Sequence, residues 1–407
     1  MKIVKANAKI YVIAKIVLCS VIVVCLLVSL GWRDDINLAL RLKRKFTKSV
    51  ALDHQSAVVV HTLSVGQGDA TIIQLPQNKT VLIDTGTTES IGELLNYIHY
   101  NLVLKSNFKY FDYIILTTAL IGRVGGMSEI ALRYVSRDTT IFRPNIAAIN
   151  PNDPLYSDPG LPQMMANSYI THSSISYRKA INAIYNTVAT VVVNQLTPQY
   201  IAQEYKTEMG VSIQALLSIF PFADRTLLGT NFVVGNSSPI IILEFGDKSW
   251  IFSGAANSVV EDLFVQRYGL FFGGNLKVSV IMIGNNGGKN SMSLEYLEFL
   301  IDVVYSYNVV LLLSMSIDNS HTYPDREMLN RLDSVGLDIK NIHNTALQGD
   351  IVTTVILNGD ELILQTITPH ILFDNSRPYL LWWEEILCFS IGILLSFIVI
   401  VYNKNSL

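Results

Sequence analysis

Two long apolar segments bracket the chain, and between them the hydrophobic pattern alternates between short strands and amphipathic helices. Ile10 to Leu30 is apolar apart from Lys15. Such a run is long enough to cross a bilayer as a helix, and Trp32 follows where an interfacial aromatic is expected. Ile386 to Tyr402 is apolar and uncharged, with Trp382 and Trp383 before it. It reads as a second, shorter span. Inside this bracket, Val58–Leu63, Thr71–Leu75 and Thr80–Ile83 are β-branched runs of strand length, and Pro76-Gln77-Asn78-Lys79 makes a hairpin turn. Glu89–Val103 places Ile91, Leu94, Leu95 and Ile98 on one helical face. Tyr113–Thr117 is a buried-type strand, and Ser128–Tyr134 returns to helical spacing.

The pattern fades between residues 143 and 235. Asn150–Ser176 is rich in Pro, Asn and Ser and reads as a long surface loop. Tyr177–Tyr185 has helical spacing, and Val191–Asn194 and Val211–Phe220 read as strands. Regularity then returns. Pro239–Phe245 and Trp250–Phe252 form a hairpin over Gly246-Asp247-Lys248. Val278–Ile283 and Val309–Leu313 are strands, Leu294–Tyr307 and Pro324–Val335 helices. Ile351–Leu357 and Glu361–Gln365 close as a hairpin. The alternation predicts an α+β body, an αββα sandwich of two mixed sheets with helices on both outer faces.

Composition sharpens the division. Half of the 407 residues are hydrophobic and only 15% are charged, which fits membrane segments at the ends. The expected organisation is an N-terminal anchor at 1–32, a basic juxtamembrane linker at 33–55, the body at 56–368 with a loop-rich insertion at about 143–235, and a C-terminal transmembrane helix at 380–403. A cleaved signal peptide competes for the first segment, but its apolar core is long for one and Ser29-Leu30-Gly31 is a poor cleavage site. Arg41, Lys43, Arg44 and Lys45 suit either anionic lipid headgroups or a solvated linker helix. The formal net charge of −3 supplies no basic field for nucleic acid. Cys19, Cys25 and Cys388 all lie in the apolar ends, so the body holds neither a disulfide framework nor a Cys-type zinc site.

Three motifs carry a resemblance. Gly66-Gln67-Gly68-Asp69 and Asp84-Thr85-Gly86 precede the loop Leu116-Thr117-Thr118-Ala119-Leu120-Ile121-Gly122-Arg123-Val124-Gly125-Gly126. In order and spacing they resemble the metallo-β-lactamase fold, most closely the hydrolase-like domain of the competence DNA-uptake channel family. That family carries Leu-Thr-His-x-His-x-Asp-His-x-Gly-Gly. Its four ligand positions hold Thr118, Leu120, Gly122 and Arg123 here. Where the family has a metal-bridging Asp after a small residue and Gly, this chain has Ala255; where it has Gly-His-His-Gly-Ser, Asn285 and Asn286 stand. The resemblance also places His321 near the family's late His.

Zinc needs imidazole, thiolate or carboxylate donors converging on it. None of Thr118, Leu120, Gly122 and Arg123 offers one. The seven histidines, His54, His61, His99, His172, His321, His343 and His370, show no HxH, HxxH or HxxxH spacing. Two-metal hydrolysis needs several such ligands to hold ions about 3.5–4 Å apart. The body also lacks a Gly-x-Ser-x-Gly elbow, a phosphate-binding Walker loop and a dinucleotide fingerprint. No catalytic residue, metal or cofactor is therefore expected. Asp69, Asp84, Arg123 and His321 remain as pocket residues, with Arg123 expected to pair with Asp84 or Asp69.

These readings give an inactive metallo-β-lactamase-like protein, anchored in a membrane and acting as a binding or scaffold module. The alternative is a metal-dependent hydrolase of nuclease or phosphodiesterase type. Expected partners are membrane lipid and other membrane or envelope proteins; nucleic acid stays open through the resemblance alone. A two-pass topology puts both termini on one side. The basic residues of 33–48 favour a cytoplasmic body, whereas the resembled domain faces outward, and the expectation is an extracytoplasmic body.

Overall fold

The β-branched run after Ser56 starts a sheet whose first strand is buried along its whole length. The computed structural model describes residues 57–104, 108–143, 168–193, 198–206, 212–220, 238–272, 276–303, 309–315, 323–339, 342–358 and 361–367. The first half supplies β1 (Ala57–Thr62), β2 (Thr71–Leu75), β3 (Lys79–Ile83), β4 (Tyr113–Ile115), β5 (Thr140–Arg143) and β6 (Thr190–Val193). Then come β7 (Gln199–Lys206), β8 (Ser212–Phe220), β9 (Ile240–Phe245), β10 (Lys248–Phe252), β11 (Val278–Met282), β12 (Val310–Leu313) and β13 (Ile342–Asn344). The body closes with β14 (Ile351–Asn358) and β15 (Glu361–Ile367).

Two sheets result. One runs β15-β14-β1-β2-β3-β4-β5-β6, the other β13-β12-β11-β10-β9-β8-β7. Both are mixed in the same way. In the first, β14, β1, β2 and β3 pair antiparallel and β3 to β6 parallel. In the second, β7 to β10 pair antiparallel and β10 to β13 parallel. The parallel strands read as near-continuous apolar runs because both their faces are covered.

Helices cover both outer faces. The first sheet carries α1 (Ile91–Ile98), α2 (Ile121–Val124), α3 (Met127–Tyr134) and α4 (Ser168–Tyr185). Leu94, Ile98, Met127 and Ile130 are buried beneath them. The second carries α5 (Ser258–Phe272), α6 (Leu294–Val303) and α7 (Arg326–Ser334), with the single turn α8 (Thr345–Gln348) after β13. Val260, Phe264, Tyr296, Leu300, Met328 and Leu332 form that outer core with Ile251, Ile281 and Leu311. Between the sheets lies another core, where Val58, Ile73, Val81 and Val355 meet Leu217, Leu243, Trp250, Phe252 and Val280. Each fully buried aliphatic or Phe side chain contributes about 1.5–3 kcal/mol. Trp250 Nε1 donates to Thr353 Oγ1 at 2.9 Å and so ties β10 to β14 across this layer. The body is the αββα sandwich that the strand and helix alternation predicts.

The stretch 143–235, expected as a loop-rich insertion, contributes α4, β6, β7 and β8 to the body itself. Its segments 144–167 and 221–237 lie outside the described residues. So do the N-terminal anchor and linker and the C-terminal segment expected to span a membrane. Among the described residues no helix is long and apolar enough to cross a membrane. The sequence reading missed α5 because Val259, Val260, Leu263, Phe264, Val265, Tyr268, Leu270 and Phe272 surround the helix and leave no clear polar face.

Candidate functional site

The residues that follow the carboxyl ends of β3, β4, β10, β11 and β12 converge. After β3 the chain turns at Asp84, which has φ +58°. Asp tolerates this left-handed conformation better than a branched residue. The turn directs the carboxylate at the next parallel strand. Asp84 Oδ1 accepts the Thr117 N–H at 2.8 Å, and Asp84 Oδ2 accepts the Thr117 hydroxyl at 2.6 Å. Thr85 N–H and Thr85 Oγ1 both donate to the carbonyl of Arg123, at 2.7 and 3.0 Å. The Asp-Thr-Gly turn therefore holds the 117–126 loop in place.

The loop carrying Asp69 packs on the same turn, and two glycines make this fit. A Cβ added to Gly68 would stand 2.3 Å from the Gly122 carbonyl oxygen, and one added to Gly122 would stand 2.8 Å from the Gln67 carbonyl oxygen. Backbone meets backbone there, so Asp69 N–H reaches the Gly122 carbonyl at 3.0 Å. Gly122, at a family ligand position, is thus a packing glycine in this chain.

Arg123 lies at the centre. It is only 2% exposed. Its Nη2 lies 2.6 Å from Asp69 Oδ2, and its Nε lies 3.6 Å from Asp84 Oδ2. Nη2 also donates to the Gly254 carbonyl at 3.3 Å and to Asn286 Oδ1 at 3.4 Å. Gly254 follows β10 with φ +52°, and Asn286 follows β11 with φ +52°. Asn286 Nδ2 in turn donates to the Ser314 carbonyl at 2.7 Å, beyond β12, and Ser314 Oγ donates to the Gly68 carbonyl at 2.6 Å. One guanidinium thereby joins turns from both sheets.

Burial pushes both carboxyls above the usual carboxylate range. For Asp84 burial is the largest influence and takes it up to about 7, although Arg123 and the two Thr117 hydrogen bonds pull it down and Asp69 pushes it further up. For Asp69 burial again outweighs the opposing pull of Arg123 and of hydrogen bonds from Ser314 and Arg123, despite the 2.6 Å contact. Desolvation disfavours charge wherever water is excluded. Near neutral pH Asp84 therefore holds its proton for part of the time, which trims the negative charge around the guanidinium.

The other positions that the resemblance gives to metal ligands carry structural roles. Thr118 is buried, and its Oγ1 accepts the Leu120 N–H at 3.1 Å at the start of α2. Ala255 is buried, and its N–H donates to Ser238 Oγ at 3.0 Å. Asn285 has φ +49° and donates its N–H to the Gly254 carbonyl at 2.8 Å. His321 lies outside the described residues. Among the described residues no group of three or more His, Cys, Asp or Glu converges. The oxygens that do converge, from Asp69, Asp84, Gly254 and Asn286, surround a permanent cation. This donor set does not fit the divalent ions that the resemblance implies.

Each sheet joins antiparallel hairpins to a parallel half, with loops at the carboxyl ends of its strands and helices on its outer face. This αββα arrangement is the one that the resemblance to the metallo-β-lactamase fold implies. Compared by sequence, the chain matches no family model and no curated protein. Compared by structure, it is similar to CmlA, a diiron β-hydroxylase from Streptomyces venezuelae, with 12% identity, a TM-score of 0.39, and coverage of 74% of this chain and 54% of that one. This chain thus spans about half the length of the hydroxylase. It is also similar to a HARLDQ-motif mutant of the metallo-β-lactamase of Cronobacter sakazakii (13% identity, TM-score 0.28, 54% of this chain and 70% of that one). A metallo-β-lactamase from Hirschia baltica gives 14% identity and a TM-score of 0.23, over 49% of this chain and 67% of that one.

Proposed function

We propose that this chain is a membrane-anchored, catalytically inactive metallo-β-lactamase-like protein that serves as a binding or scaffold module in a membrane complex. The observation that carries the reading is Arg123, whose guanidinium lies among Asp69, Asp84, Gly254 and Asn286 where hydrolases of the resembled family hold metal ions. A fixed cation there repels a second cation. It also leaves no water coordinated to a Lewis acid for attack on a phosphodiester. The apolar segments at residues 10–30 and 386–402 support anchoring, and the resemblance supports a body outside the cytoplasm. Lipid and neighbouring envelope proteins are the partners this reading implies.

Elemental analysis of the full-length chain, purified in detergent from cells grown with added zinc and manganese, tests it together with hydrolysis of bis-p-nitrophenyl phosphate. Metal content far below one ion per chain, with hydrolysis at the buffer rate, is expected. Stoichiometric zinc or manganese with chelator-sensitive hydrolysis would overturn the reading in favour of a metal-dependent phosphodiesterase.

A further inference from the structure

Among the described residues four strands end a sheet, β15 and β6 in the first and β13 and β7 in the second. An edge strand leaves main-chain N–H and C=O groups for another strand to meet, and folded proteins blunt such edges with charge or cover. The second sheet does so at both ends. On β7 the Gln77 amide donates to the Glu204 carbonyl at 2.7 Å, and on β13 Gln348 Oε1 accepts the Asn344 N–H at 3.0 Å. β15 opens on a charge, Glu361. β6 differs. Val188-Ala189-Thr190-Val191-Val192-Val193 is uncharged, Thr190 is exposed, and Val191 and Val192 are half-buried.

We propose that β6 is an interaction edge that pairs antiparallel with β6 of a second copy of this chain, joining their first sheets into one across a two-fold axis. Identical edges related by such an axis present the same patch to each other. Self-pairing here sets no like charges opposite one another, and β-branched residues make favourable cross-strand pairs. Just ahead of the strand in sequence, Tyr185 and Val188 are 52% and 68% exposed. The Tyr185 hydroxyl accepts Arg143 Nη2 at 2.9 Å, so an exposed ring of the kind that anchors interfaces is already held in place. The chain's own segment between β5 and α4 is a poorer occupant. Pro144, Pro151, Pro154, Pro159 and Pro162 interrupt it, and proline donates nothing to a ladder. A ladder this short is small beside the roughly 1,200–2,000 Å² of stable interfaces, so the pairing needs chains held at high local concentration. For that concentration it rests on the proposed anchoring.

The test is disulfide cross-linking of the full-length chain in native membranes. Cys19→Ser, Cys25→Ser and Cys388→Ser remove the native thiols, and Thr190→Cys, Val191→Cys and Val192→Cys are then made singly. Residues directly opposite in an antiparallel pair have Cβ atoms about 4.5–5.5 Å apart, so the position nearest the axis should link to its own copy. Mild oxidation should give a species of twice the chain mass at that position, at least tenfold stronger than at Tyr200→Cys on β7. Adding Val191→Lys, or Thr190→Lys where 191 carries the thiol, should cut the linked fraction about tenfold without moving the melting midpoint. Val191→Thr or Thr190→Ser should leave it. Chain in the membrane pellet with no linkage at any of the three positions would overturn the proposal, as would equal linkage at Tyr200→Cys, insensitivity to the lysine, or an adduct with a different protein. Chain absent from the pellet would instead fail the anchoring, and linkage of the purified chain at high concentration in detergent then decides the pairing.

Discussion

Asp84 is fully buried, and its carboxyl is pushed up to about 7 mainly by burial. In the unfolded chain an Asp titrates near 3.9, roughly three units lower. Between those values the folded state holds a proton that the unfolded state has released. Unfolding therefore releases protons in this window, and stability falls as pH rises from about 4 to about 7. Asp84→Asn keeps an acceptor for Thr117 N–H and removes the titration. The slope of unfolding free energy against pH between 5 and 7 should fall by up to about one proton in this variant. Glu261 is buried, accepts the N–H groups of Met292 and Ser293 at 2.8 and 2.7 Å, and is also pushed up to about 7 by burial. Its share of the slope should survive in Asp84→Asn. Equilibrium denaturation at several pH values reads both, and an unchanged slope would show that Asp84 stays ionised.

The close approach of the 66–69 and 117–126 loops leaves no room for side chains at its contact. Gly122→Ala should destabilise the body by about 1–3 kcal/mol, the usual range for overpacking, because the atom it meets is a backbone carbonyl 2.8 Å away. Gly92→Ala in α1 meets nothing within 4 Å and should be neutral or stabilising by up to about 1 kcal/mol. Denaturant titration of the two variants side by side checks the contrast; equal effects would dismiss the contact. The same loops show what sequence makes legible. Most strands were readable from their β-branched runs. The exceptions are β5 and β13, short runs broken by Arg143 and by His343 and Asn344, and β7, whose Gln199, Gln203, Glu204 and Lys206 dilute the apolar signal. The resemblance singled out the loops that carry Asp69, Asp84 and Arg123, and the structure puts Arg123 against both carboxyls. Gly254 was not readable as a partner, since it offers a main-chain carbonyl from 131 residues away and carbonyls leave no trace in side-chain pattern. Ser314 and Thr117 act through backbone and hydroxyl bonds of the same silent kind.

At the scale of the whole molecule, the body by itself does not account for a chain that is half hydrophobic and 15% charged. Among the described residues, large apolar side chains do reach the surface, such as Leu132, Leu270 and Leu347, but scattered apolar exposure is ordinary for folded proteins. The excess lies at residues 10–30 and 386–402, whose lengths of continuous apolar sequence suit a hydrocarbon layer better than a folded core. On the proposed anchoring, two such segments make retention redundant. Full-length chain should stay in the membrane pellet after extraction at high pH without detergent. Deleting residues 1–31 should leave it there, held by the C-terminal segment alone. Deleting 1–31 together with 380–407 should move it to the supernatant. Release after the first deletion would remove the C-terminal span, because no other uncharged apolar run of that length remains in the chain. Retention after both deletions would instead assign membrane contact to the body or to the basic stretch at Arg41–Lys45, where about 1 kcal/mol per basic residue near an anionic surface is available and is lost in high salt.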